Sequence, residues 1–96
     1  MKLAMQITVE DIENGERCRH SRCPVARAFR RTLGLTVDEV SVTPRSIIAT
    51  YRGREYRGHF PKAVTNAVNR YDVHGVFAPM SFDVELVEAA PKLGSV

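Results

Sequence analysis

The run MSFDVEL, residues 80–86, alternates without a break, with Met80, Phe82, Val84 and Leu86 against Ser81, Asp83 and Glu85. Side chains of a strand point alternately to its two faces, so this run gathers four large apolar groups on one side and needs that side covered. A second alternation, Leu3, Met5, Ile7 and Val9 against Lys2, Ala4, Gln6 and Thr8, makes the same demand near the other end of the chain. Ninety-six residues leave room for one core, so the same elements have to cover both strands.

Two amphipathic helices can do this. Ser21 or Cys23 can cap the first, Pro24 takes the first helical position, where its missing N–H costs nothing, and Gly34 closes it. Val25, Ala28, Phe29 and Leu33 share one stripe of that helix, with Arg27, Arg30 and Arg31 on the opposite side. The second helix begins near Pro61, aligns Val64, Ala67, Val68 and Tyr71, and ends at His74-Gly75. Between them lie β-rich runs at 39–43, 46–52 and 55–60, the last two joined by a tight turn at Arg52-Gly53. Thr8 or Glu10 can open one short helical turn through DIEN, residues 11–14, which Asn14-Gly15 is expected to stop through positive φ. The order β-α-β-β-β-α-β predicts a single α+β domain over residues 1–88. Its mostly antiparallel sheet has four to five strands with two helices on one face, and a flexible C-terminal tail follows at 89–96.

At 44% hydrophobic and 26% charged residues the chain reads as an ordinary globule. No apolar run approaches the roughly 20 residues that span a bilayer, and MKLAMQITVE lacks the long apolar stretch of a signal peptide. A cytoplasmic protein without a membrane partner is expected. Two cysteines are too few for a disulfide framework and are expected to be thiols.

Charge is segregated along the chain. Residues 17–70 hold eleven arginines and Lys62 against Asp38, Glu39 and Glu55, a balance of +9, whereas 1–16 and 71–96 each sum to −3. Arginine outnumbers lysine eleven to three, and its planar fork binds phosphate or carboxylate through two parallel hydrogen bonds. Arg17, Arg19 and Arg22 precede the first helix, and Arg27, Arg30 and Arg31 lie on it, near a helix N-terminus whose free N–H groups suit an anion. The run YRGREYR, residues 51–57, interleaves Arg52, Arg54 and Arg57 with Tyr51 and Tyr56, a pattern that can stack bases and hold a backbone. These nine arginines form the candidate surface for nucleic acid or another acidic partner. Each also has an ordinary reading as the wet side of an amphipathic element.

Cys18, His20 and Cys23 are soft metal ligands in one short loop, and His59 or His74 could complete a tetrahedron from elsewhere in the fold, but C-x4-C lacks the tight knuckle of structural zinc sites and no second CxxC or HxxxH pattern supplies the other half. No metal or other cofactor is expected. Cys23, at a helix start near Arg19 and Arg22, has surroundings that lower a thiol pKa, yet no base is positioned by sequence. Walker, GxGxxG, GxSxG and HExxH patterns are missing, so the chain is not expected to be an enzyme.

The stretch ITVEDIENGERCRHSRCPVARAFRRTLG, residues 7–34, contains DIxxGxR and CPVAxAxRR. With YDVHG and FDVEL further on, it resembles a group of small hypothetical proteins encoded by bacteria and their phages. The cysteines of that group stand closer together, which weakens a metal site here further. The resemblance implies a short accessory protein that binds nucleic acid or host machinery, and it carries no residue roles. A small non-enzymatic binding protein is therefore expected, its arginine face engaging nucleic acid or docking on the acidic surface of a host protein. Open sheet edges would also allow a homodimer.

Overall fold

Strand β1 (Lys2–Ile7) stops before its alternation of side chains does, because Thr8 turns the chain into a helix. The Thr8 hydroxyl accepts from the Asp11 N–H at 3.2 Å, and the Thr8 N–H donates to the Asp11 carboxylate at 3.0 Å, a reciprocal cap on α1 (Val9–Asn14). Val9, placed on the strand by its spacing, opens this helix instead and is 56% exposed. The computed structural model describes residues 1–89. Gly15 ends α1 with φ −79°, so positive φ is not what makes it glycine. A Cβ there would lie 2.7 Å from the Pro24 ring and 2.8 Å from the Asp11 carbonyl oxygen, and the missing side chain lets the end of α1 press on the start of the next helix.

That helix, α2 (Pro24–Leu33), has Cys23 as its N-cap, with Sγ accepting from the Ala26 N–H at 3.4 Å, and Gly34 closes it in the left-handed region at φ 70°. A single 3₁₀ turn (Val37–Glu39) leads into β2 (Val40–Val42). Strands β3 (Ser46–Tyr51) and β4 (Arg54–His59) then form a hairpin whose two turn residues, Arg52 and Gly53, both have positive φ, the geometry that follows strand twist. Helix α3 (Lys62–His74) ends at Gly75 with φ 73°, before β5 (Met80–Glu85) and the two-residue β6 (Val87–Glu88).

The α+β class holds, but the single sheet does not. Six strands form two antiparallel sheets, β1-β5 and β2-β3-β4-β6, and there are three helices among the described residues, not two on one face. The two sheets come together at Gly58. A Cβ on it would meet Leu86 Cδ2 at 2.7 Å and the Glu85 carbonyl oxygen at 2.9 Å, so β4 and the end of β5 approach closely there without pairing along their length. Leu86 is fully buried, and its backbone N–H and carbonyl both bond to Met1, which completes the first sheet. Val87 then crosses to pair with Arg57 of the second sheet. The apolar alternation at 80–86 thus spans a change of sheet, a distinction that side-chain periodicity does not carry.

Both sheets and α2 meet at three aromatic rings, Phe29, Phe60 and Phe82, with centroids 5.9–6.4 Å apart. Met5, Ile7, Val25, Ile47 and Leu86 complete the core around them, and α3 adds Val64, Val68 and Tyr71. No described helix is long and apolar enough to cross a membrane. The tail expected at 89–96 lies outside the described residues except Ala89, whose N–H bonds to the Glu55 carbonyl.

Gly58→Ala should cost about 1–3 kcal/mol, the usual range for overpacking a tight site, measured by urea denaturation. An unchanged midpoint would mean that the two sheets have more room between them than this crossing allows.

Candidate functional site

The only buried charged side chain among the described residues is Asp11, 2% exposed. Its second carboxylate oxygen receives Arg31 Nη1 at 2.5 Å, while Arg31 Nη2 donates to the Gln6 carbonyl at 2.9 Å. One arginine therefore ties α2 to both the cap of α1 and the end of β1. Burial on its own would raise the Asp11 carboxyl. The hydrogen bond from Arg31, those from the Thr8 N–H and hydroxyl, and the charge of Arg31 outweigh it and hold the group below its ordinary value of 3.8.

Between α1 and α2 runs an open groove of about 580 Å³. Val9, Glu10 and Asp11 line one side, Arg27, Arg30 and Arg31 the other, and Leu35 lies at its end. The i, i+3, i+4 spacing puts the three arginines on neighbouring turns of one helix face. Arg31 is committed to Asp11, but Arg27 and Arg30 make no ion pair among the described residues. Both of their Nε atoms are shut off from solvent and lack a hydrogen-bond partner there, and they are the only buried side-chain polar atoms in that state among the described residues. Arg30 and Arg31 also sit in the last turn of α2, where a positive charge suits the helix dipole.

The other candidate arginines are distributed differently. Arg17 Nη2 donates to the Asp72 and Val73 carbonyls at 3.1 and 2.9 Å and so caps the C-terminus of α3. Arg19 and Arg22 line a separate hollow of about 260 Å³ with Asp38, and Arg22 lies 3.8 Å from Glu16. In the hairpin, Arg54 pairs with Glu88 at 3.0 Å and Arg57 with Glu55 at 3.0 Å. Arg52 lies over the Tyr51 ring at 5.1 Å, and Tyr51 packs edge-on against Tyr56 at 6.4 Å. The hairpin arginines line neither concavity.

Cys18, His20 and Cys23 do not converge as a ligand set. Cys18 is held by Asp72 through its N–H at 3.2 Å, the His20 ring meets the Ser21 and Ser41 hydroxyls at 2.9 and 3.4 Å, and Cys23 caps α2. No cluster of three His, Cys, Asp or Glu groups suited to a metal ion occurs among the described residues. The helix start and nearby arginines do not activate Cys23. Burial pushes its thiol up, with the charge of Asp72 adding to the effect.

Asp11, Glu10, Val9 and Leu35 are parts of this site that the charge pattern alone did not single out. The T-x-x-D spacing signals the cap at Thr8, but nothing local signals the pairing with Arg31, twenty residues on. No protein-family model, curated protein or solved structure matches the chain.

Asp11→Asn should cost about 1.5–3 kcal/mol, the range for hydrogen bonds to a charged group. Because the folded carboxyl is held below its unfolded value, the stabilisation is complete above about pH 4 and is lost as pH falls through the lower folded value. Acid unfolding curves of Asp11→Asn should lack that component, and curves superimposable on the wild type would contradict the pairing. Exposed Cys18 should be alkylated by iodoacetamide well before Cys23, as read by peptide mass spectrometry. Equal rates would mean that the start of α2 opens readily.

Proposed function

We propose that the chain is a non-enzymatic binding domain that engages nucleic acid, with the groove between α1 and α2 as its centre. The observation that carries this reading is the state of Arg27 and Arg30: two guanidinium groups on adjacent turns, lining one groove, with no acidic partner among the described residues. Guanidinium forks meet phosphate oxygens bidentately. Arg19 and Arg22 line a separate hollow, where Arg22 lies near Glu16, and the hairpin arginines are paired or stacked, so all of these contribute less.

A second reading, docking on an acidic host protein, is favoured by Val9, 56% exposed, and Leu35, which add apolar lining to the groove beside its arginines, a mixture common at protein interfaces. Strands β1 and β5 pair only with each other, so each also keeps a free edge.

Affinity for a fluorescent single strand should fall steeply with salt. Arg27→Gln/Arg30→Gln should flatten the log–log slope by ~0.7 for each phosphate that the pair neutralises. A slope unchanged in the double variant would remove the groove from the reading. Tight binding of a polyglutamate peptide with no affinity for any strand would replace it with the second.

A further inference from the structure

We infer that the groove between α1 and α2 is a seat for a single phosphomonoester, the terminal phosphate of a nucleic-acid strand, and not a track along which a backbone runs. This rests on the nucleic-acid reading above and narrows it to one end of the strand.

Donor geometry comes first. Arg27 and Arg30 each hold an Nε–H out of solvent with no acceptor among the described residues. Buried donors in that condition are rare in folded proteins and cost free energy when left unmade. With each Nε–H shut off from solvent, the paired Nη–H groups are the donors of each guanidinium left to grip an oxyanion in the groove. Side chains at i and i+3 stand about 5–6 Å apart at Cβ, close enough for both forks to converge on one tetrahedral anion. A phosphomonoester offers three free oxygens to these converging forks, and a phosphodiester two.

Charge selects in the same direction. Arg31 and Asp11 neutralise each other, which leaves Arg27 and Arg30 as two uncommitted positive charges. A phosphomonoester carries about −2 near neutral pH, and a diester carries −1. Glu10 on the facing wall brings the balance of the groove's lining to +1, too little positive charge to hold a second phosphate beside the first. Val9 and Leu35 supply apolar surface beside the anion seat, suited to the sugar and base of the last nucleotide.

The test is fluorescence anisotropy of the full chain with one twelve-nucleotide single strand in three forms: 5′-phosphate, 3′-phosphate, and hydroxyl at both ends. Inorganic phosphate serves as a competitor and a phosphoserine peptide as the alternative ligand. A phosphate at either end should tighten binding by about tenfold over the hydroxyl form. That advantage should vanish in Arg27→Gln/Arg30→Gln, shrink in Arg27→Lys/Arg30→Lys, which keeps the charge but loses the fork, and be abolished by millimolar inorganic phosphate. Circular dichroism and urea midpoints establish that both variants are folded. Equal affinity for all three strands would overturn the end preference while leaving nucleic-acid binding intact. Capture of the phosphoserine peptide with no strand bound, or no binding of any probe at low salt, would overturn both.

Discussion

The interaction on which the rest of the structure depends is the one made by the Asp11 carboxylate. With one oxygen it completes the cap at Thr8, and with the other it receives Arg31 from α2. A carboxylate this deeply buried is stable only when its oxygens are bonded, and here the backbone, a hydroxyl and a guanidinium share the task. The outcome is geometric as well as energetic. It sets α1 against α2, fixes the width of the groove between them and takes Arg31 out of circulation, so that the two remaining arginines face a wall bearing one free acid.

The same division of labour runs through the arginine-rich middle of the chain. Sequence charge treats its members alike, but position in the fold separates them by partner. Arg17 satisfies carbonyls at the end of α3, Arg31 joins α2 to α1 and β1, and Arg54 links strands β4 and β6 through Glu88. These are uses of the guanidinium as a multi-donor staple within the fold. Arg27 and Arg30 stand apart because their buried Nε–H groups meet no acceptor among the described residues. Net charge thus overstates the surface offered to a partner, and the uncommitted groups define it more narrowly.

What the sequence reveals follows the range of the interactions involved. Cys23-Pro24 and Gly34 bound α2, Gly75 bounds α3, and Arg52-Gly53 makes the hairpin turn, all through chemistry confined to a few neighbouring residues. The α+β class is legible for that reason, as are the buried stripes of both helices. The division into two sheets is not, because the sheets come together where Gly58 meets Leu86, an approach of distant segments. Gly15 is similar: its place after Asn14 suggests a left-handed turn, but its role comes from the Pro24 ring against it. In the candidate site, α2 and its arginines stand out in the sequence, whereas the opposing wall and the commitment of Arg31 emerge only when α1 is folded onto them.

Side-chain Nε–H resonances of arginine, followed by 1H–15N NMR while a 5′-phosphorylated single strand is added, would examine the central claim at the atoms concerned. The signals of Arg27 and Arg30 should shift as their guanidinium groups take up the phosphate, while those of Arg54 and Arg57, held by glutamates, stay in place. Movement confined to the hairpin arginines, with Arg27 and Arg30 unchanged at saturation, would contradict the account.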